Sequence, residues 1–495
     1  MFNPALRSWR LKLFSTHLGR VLIIASVALA FKSGAADLPP ATQKALRSAG
    51  VPQAAVAAWV QEVGAPRPTI ALHPDTSVNP ASVMKLVTTY AALELLGPAY
   101  RWKTEAYLDG EHLVLRGTGD PKLNYESFWM LLRSLRGRGL RELRGDVVLD
   151  RSYFGPAQYS PFDSDTYRPY NVTPDALLVN FKSLRFTFVP EGDQGVRVYA
   201  EPTLPGMELV NTLKLGGGGC PDGTRAFREV IQASFQSQPP RASFAGTYPL
   251  SCGERELNVA LHDPQDYVAA MIRSLWGEMG GSWSGSVREG SASPGARLVY
   301  VHESDPLAEI VRDINKFSNN VMARQLFLTL GAELGGPPAR GEESARVIRE
   351  WVAAKKIQAP ELVLENGSGL SRVERISAHH LADLLQAAWR SPVMPEFVSS
   401  LPIVAADGTM RKRLHGERVA GSAHIKTGLL ADARAIAGYV LDRNGRRHVV
   451  VMIVNHPKAH ETDAAMDALL EWVYESATSP ARAITNRPGA SPSRP

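Results

Sequence analysis

Hydrophobic and polar positions along the chain fall into three stretches of different character. In the first, 56–62 and 69–73 read as short strands. They precede an apolar segment, 79–96, in which Met84, Leu86, Val87, Ala91, Leu93 and Leu95 cover much of a helical circumference. That pattern predicts a buried helix, with Asn79 as N-cap and Pro80 at its first position. From about Tyr100 helical periodicity thins out. Short apolar runs at 112–115, 145–149, 184–189 and 195–199 alternate with Gly, Pro and Asp turns, predicting a β-rich insert over 101–298. Within it, 151–171 is rich in Pro, Tyr and Asp and reads as an irregular loop.

Helical character returns near residue 300. The pattern predicts a helix over 306–317 capped by Asp305, another from Ser318 to Leu330, a third over 343–356 and a fourth over 378–390 after Ser377. The runs 435–441 and 447–454 alternate around Asn444-Gly445, a strong hairpin signal, and 424–430 reads as a strand just before them. A helix over 459–474 closes the order, and the Pro- and Ser-containing tail 479–495 reads as disordered. The organisation is an α+β domain in two parts, 37–100 and 299–478, with its central sheet flanked by helices and interrupted by the insert.

Composition and charge narrow the setting. A chain of 495 residues exceeds one ordinary domain. Residues 1–36 read as an export signal cleaved after Ala36: basic residues lead into an apolar run, 21–31, and small residues follow. That run is shorter than the about 20 residues a membrane-spanning helix takes, and an uncleaved anchor is the alternative. The signal holds Arg7, Arg10, Lys12, Arg20 and Lys32 and no acidic residue, so removing it takes the net charge from +6 to +1. The basic balance therefore gives no argument for nucleic acid as a partner. The setting is periplasmic, with peripheral membrane or cell-wall association as an option. Cys220 and Cys252, an even pair in an exported chain, point to one disulfide. Gly216–Gly219 lacks a following Gly-Lys-Ser/Thr and reads as a turn, and His379-His380 reads as polar surface at a helix start, with no spacing for a metal.

Three short strings carry chemistry: Ser82-Val83-Met84-Lys85, Ser318-Asn319-Asn320 and Lys426-Thr427-Gly428. In order they read S-x-x-K, S-x-N and K-T-G, the walls of a penicillin-recognising acyl-transfer site. Each alone is weak, since Ser77-Val78-Asn79 also fits the second. A Ser three places before a Lys occurs only at Lys85, however, and roughly half the chain lies between Ser82 and Ser318. Ser82 is the expected nucleophile and Lys85, one turn on, its base. A lysine must be tuned down to act near neutrality, which a helix N-terminus, burial and a second cation at Lys426 would each do. Ser318 is expected to relay a proton, and Asn320 to hold substrate or Lys85. Lys426 and Thr427 are expected to take a substrate carboxylate, and Gly428 to let substrate approach the backbone. The N–H groups of Ser82 and Leu429 are the expected oxyanion donors. No metal or organic cofactor is required.

With these motifs the chain resembles the low-molecular-mass class C penicillin-binding proteins, the D-alanyl-D-alanine carboxypeptidase/endopeptidases of peptidase family S13. Gly117-Thr118-Gly119-Asp120-Pro121, Gly145–Asp150, Asn366-Gly367-Ser368-Gly369-Leu370-Ser371 and Asp407-Gly408-Thr409 extend the likeness over the mature chain. The resemblance implies a β-lactamase/transpeptidase-like catalytic domain with two inserted domains. It implies cleavage of D-Ala–D-Ala ends and D-Ala–diaminopimelate cross-links in peptidoglycan stem peptides, and covalent inhibition by β-lactam antibiotics. Phe162, Asp165 and Tyr170 resemble the set that receives the diaminopimelate end, with Asp163 an equally acidic neighbour. Two positions depart from the family pattern. Leu429 stands where a Ser or Thr is frequent, and Asn366 where an Asp is common. A β-lactamase and a silent cell-wall-binding protein are the alternative functions.

Overall fold

A computed structural model describes residues 37–156, 161–192 and 195–475. The expected signal over 1–36 and the tail over 479–495 lie outside the described residues. The first and last parts of the chain meet in one antiparallel sheet. Its strand order is Ala423–Leu429, Ala433–Leu441, Arg447–Asn455, Val56–Glu62, Ile70–Leu72. Val56 pairs with Val454 and Glu62 with His448, so an early strand lies against the last one. Everything between the two halves must loop out of this sheet.

The strand Arg447–Asn455 is buried almost throughout because layers cover both of its faces. Alternate side chains serve two cores, as the two-residue period of a strand requires. Val449, Val451 and Ile453 join Leu86, Val87, Tyr90, Leu326 and Leu381 on the face that carries the Ser82 segment. Val450, Met452 and Val454 join Leu46, Met466, Leu469 and Leu470 on the other. That second layer is made by the helices Pro40–Ser48 and Asp463–Glu475; the first of these was not expected from the sequence. The class is α+β, as the pattern indicated.

The insert holds a five-stranded sheet, ordered Val287–Glu289, Val147–Asp150, His112–Gly117, Lys103–Asp109, Arg297–Glu303. Smaller sheets include Arg255–Val259 with Leu184–Pro190 and Val196–Glu201. One hydrophobic cluster runs through both systems, from Ala106 and Leu115 to Phe186, Phe244 and Trp276. The strand Arg297–Glu303 pairs with Lys103–Asp109, so the insert's sheet continues past the expected end at 298. Cys220 and Cys252 are joined by a disulfide.

Several expectations need correction. The insert also contains two long helices, Tyr125–Gly137 and Pro264–Glu278. Phe128, Leu131, Leu132 and Leu135 form a regular buried stripe on the first, and Asn124 caps it by accepting from Ser127 N. The periodicity was legible there. Asp305 does not cap the helix Leu307–Phe317; its carboxylate pairs with Lys122. Ser318 does not begin the next helix. It is the left-handed residue (φ 55°, ψ 37°) that ends Leu307–Phe317, and Asn319 caps Asn320–Gly335 by accepting from Met322 N. Among the described residues no helix is long and apolar enough to cross a membrane.

Candidate active site

Ser82 sits in a 3-10 turn, Ala81–Met84, that leads into the helix Lys85–Leu95, rather than in a continuous α-helix from Asn79. Asn79 still acts at the entry, its Oδ1 accepting from Ala81 N at 2.9 Å. Ala81 is fully buried with φ 47°, a left-handed conformation that costs an alanine of order 1–3 kcal/mol. The turn is held there by what packs on it. A Cβ on Gly369 (φ 76°) would lie 1.9 Å from Ala81 O, and one on Gly428 would lie 2.8 Å from Pro80 O. Gly428 was expected to admit substrate to the backbone; the close approach it permits is that of the nucleophile turn itself.

Lys85 is 0% exposed and lies at the centre of the site. Its ammonium donates to Ser82 Oγ at 3.0 Å, to Asn320 Oδ1 at 2.6 Å and to the carbonyl of Ser368. Burial pushes its pKa well below the ordinary lysine value, and the charges of Lys426 and Arg324 push the same way, while Glu374 opposes them. Lys426, also 0% exposed, donates to Ser318 Oγ at 2.8 Å and to Thr427 O at 2.6 Å, and burial brings its pKa down to about 7. Two buried lysines, both with lowered pKa values, therefore each face a serine hydroxyl. The structure joins Lys85 to Ser82 and Asn320 in one hydrogen-bonded set and Lys426 to Ser318 in another, close enough for the Lys426 charge to act on Lys85.

The edge strand Ala423–Leu429 forms the opposite wall. Leu430 N donates to Ala433 O, inside the ladder, whereas Ile425 N donates outward to Pro402 O. Antiparallel pairing alternates these directions along a strand, so the Leu429 N–H points away from the sheet, as an oxyanion donor must. The Leu429 side chain is 58% exposed. Thr427 shares a hydrogen bond of 2.9 Å with the hydroxyl of Thr409.

Glu374 was missed in the sequence, and it organises the loop that holds Lys85. Fully buried, it accepts from the backbone N–H groups of Glu365 (3.1 Å), Asn366 (2.9 Å), Gly367 (2.7 Å) and Gly369 (2.8 Å). Burial raises its pKa and the four donors pull it back. The loop so formed presents the Ser368 carbonyl to Lys85. Asn366 stiffens it, with Oδ1 accepting from Ser368 N and Oγ and Nδ2 donating to Leu370 O at 3.0 Å. That last bond needs an amide donor, which an ionised Asp at this position would lack. A glutamate just after a Gly/Ser loop carries no local sign that it is buried, so nothing in the sequence marked it.

The three residues expected from the insert lie in one loop joined through Asn171, which accepts from Phe162 N at 2.9 Å and donates to Asp163 Oδ1 at 2.8 Å and Asp165 O at 2.9 Å, and their side chains take different partners. Phe162 packs against Ala81, Leu430 and Ala433, with the Arg372 guanidinium 4.7 Å from its ring centre. Tyr170 lines a cavity of about 970 Å³ with Ser318 and Asn320, and its hydroxyl donates to Asp163 Oδ2 at 2.7 Å. Asp165 instead accepts from Arg168 Nε at 2.8 Å and from Arg228. His379 and His380 pair with Asp75 and Glu361.

Comparison with known proteins follows from this geometry. A family model described as D-Ala-D-Ala carboxypeptidase 3 (S13) family matches residues 41–475. A D-alanyl-D-alanine carboxypeptidase of Actinomadura sp. is 26% identical over 402 residues, covering 76% of this chain and 73% of that protein. The D-alanyl-D-alanine carboxypeptidase DacB of Haemophilus influenzae is 22% identical, covering 76% of this chain and 80% of that protein. The crystal structure of penicillin binding protein 4 from Haemophilus influenzae superposes with a TM-score of 0.72 at 19% identity, covering 88% of this chain and 99% of that one.

Proposed function

The chain belongs to the D-Ala-D-Ala carboxypeptidase 3 (S13) family, and from that premise we propose how its residues perform serine-type DD-peptidase chemistry. The observation that carries the reading is the buried Lys85, which hydrogen-bonds Ser82 and Asn320 at once while Lys426 holds Ser318 opposite. Ser82 Oγ attacks the carbonyl of the penultimate D-Ala and Lys85, in its neutral form, takes the proton. The N–H groups of Ser82 and Leu429 face the developing oxyanion. Ser318 relays to the departing amine the proton that Lys85 took, which returns Lys85 to its neutral form and leaves the peptidyl-D-Ala acyl group on Ser82. Water, deprotonated by neutral Lys85, attacks the ester carbonyl; the bond to Ser82 Oγ breaks, and Lys85 returns the proton to Ser82 as the acid leaves. Lys426 and Thr427 hold the carboxylate of the leaving residue. No step calls for a metal or an organic cofactor.

The substrates on this reading are stem peptides of peptidoglycan, both as free D-Ala–D-Ala ends and as D-Ala–diaminopimelate cross-links. The about 970 Å³ cavity running from Ser318 into the insert supports the larger, cross-linked substrate. Phe162, with Tyr170 and the Asp163/Asp165 pair, is the candidate receiver of the diaminopimelate end. β-Lactam antibiotics acylate Ser82 covalently. The leader over 1–36 and the disulfide fit export to the periplasm, where such substrates lie, with 101–298 as the inserted region. Incubation of the purified protein with a stem pentapeptide and with a cross-linked dimer, beside a Ser82→Ala control, tests this. Release of D-Ala from the pentapeptide and loss of the dimer are expected only with Ser82. Fast turnover of penicillin without peptide cleavage would replace this reading with a β-lactamase.

A further inference from the structure

Leu429 leaves a gap in the carboxylate clamp. The position after Lys426-Thr427-Gly428 has no hydroxyl, its backbone N–H serves the oxyanion, and the residue is exposed. Burial also holds the Lys426 pKa down to about 7, so near neutrality its charge alone is an incomplete partner for a carboxylate. An acidic leaving group needs further donors, and a neighbouring turn carries one.

Thr409 lies in the short 3-10 turn Gly408–Met410. Two contacts bring that turn to the site. Lys316, the second residue before Ser318, is nearly buried and donates to Asp407 Oδ2 at 2.6 Å and to Leu401 O at 2.7 Å. The other carboxylate oxygen, Asp407 Oδ1, accepts from Ile403 N at 2.7 Å, and Ile403 bridges to His424 on the strand that carries Lys426. The same ion pair thus ties the end of the Ser318 helix to the turn that bears Thr409. The Thr409 side chain is exposed, and its only hydrogen bond among the described residues is the 2.9 Å contact in which Thr427 Oγ1 donates to it. Its own hydroxyl proton has no acceptor there, so it is available to a ligand that reaches Thr427.

We propose that Thr409 is a substrate-binding residue, which pairs its hydroxyl with that of Thr427 beside Lys426 to grip the free carboxylate of the leaving D-amino acid in place of the hydroxyl that Leu429 lacks. The inference rests on the DD-peptidase reading and names which part of the substrate that site grips. A carboxylate brought to this pair accepts from Lys426 and from the hydroxyl protons of Thr409 and Thr427, that of Thr427 turning from Thr409 Oγ1 to the ligand.

The test compares two substrates of the full-length enzyme, a peptide ending in D-Ala–D-Ala as the free acid and the same peptide as its C-terminal amide. Loss of one hydrogen bond to a charged group is expected to cut the wild-type acid-over-amide preference in kcat/KM by about ten- to a hundredfold in Thr409→Val. The fall should lie mainly in KM for the acid. Thr409→Ser should keep the preference, and adding Leu429→Thr to Thr409→Val should restore it, which a merely structural role for Thr409 would not allow. An unchanged preference in Thr409→Val, an equal fall for both substrates, or failure of Leu429→Thr to rescue would each overturn the proposal. A wild-type enzyme that cleaves neither peptide would overturn the DD-peptidase reading instead, so the two failures are distinguishable.

Discussion

Replacing Glu374 by Gln tests the claim that this buried carboxylate holds Lys85 in place through a loop. The two side chains have nearly the same shape, but one oxygen becomes an NH₂ donor. Oε1 accepts from Glu365, Asn366 and Gly367, and Oε2 from Gly369. The least costly orientation puts the new NH₂ against Gly369 N–H, leaving two buried donors face to face at about 1–3 kcal/mol. The three other bonds pass from charge-assisted to neutral, a loss of about 1 kcal/mol each. Relief from burying a charge offsets part of this, so a net destabilisation of about 2–4 kcal/mol is expected by urea denaturation. The functional effect travels through Ser368, whose carbonyl loses its fixed position on Lys85. A shift costing about 1.4–2.8 kcal/mol in the transition state slows acylation by a fluorescent penicillin about ten- to a hundredfold. The charge makes a second, signed prediction. Glu374 raises the Lys85 pKa, so its loss lowers that pKa further and moves the acid limb of the acylation rate to lower pH. A Glu374→Gln enzyme with wild-type stability, acylation rate and pH profile would refute the reasoning.

The opposite sign is expected for Lys426→Ala. Its charge depresses the Lys85 pKa, so removing it moves the same acid limb to higher pH, as stopped-flow acylation across pH would read. Burial lifts the Asp120 pKa to about 7, above its unfolded value, so the folded state prefers the protonated form. Stability should therefore fall as pH rises from about 4 to 7, by up to about 4 kcal/mol, and Asp120→Asn should flatten that slope in denaturation curves taken across the range. The Cys220–Cys252 bond closes a loop of 32 residues, and Cys220→Ser with Cys252→Ser should destabilise the protein by about 3–4 kcal/mol in the chain-entropy picture, read from denaturant midpoints. Penicillin labelling of Ser82 should persist in that variant, because both cysteines lie in the insert.

Residue type and local order were enough to reveal the catalytic motifs and the core of the sheet. Ser82, Lys85, Ser318 and Lys426 announce themselves because acyl transfer demands those side chains, and the strands on either side of Asn444-Gly445 because alternation and turn chemistry act over a few residues. The sequence also carried the amphipathic stripe of Phe128, Leu131, Leu132 and Leu135, which a reading weighted towards strands passed over. Other features arise only when distant segments pack. Glu374 looks like any polar loop residue until four backbone donors close around it, and Thr409 is an ordinary exposed threonine until Lys316 and Asp407 draw its turn to Lys426. Ser318 reads as a helix start, yet takes the left-handed corner between two helices, where its hydroxyl meets Lys426. The choice of arginine partners for Asp165, and of Tyr170 for Asp163, likewise depends on where the insert's loop folds back. Propensity and spacing describe neighbours along the chain, whereas burial, pKa and hydrogen-bond partners are set by neighbours in space. Here those spatial neighbours come together from separate halves of a sheet parted by the insert.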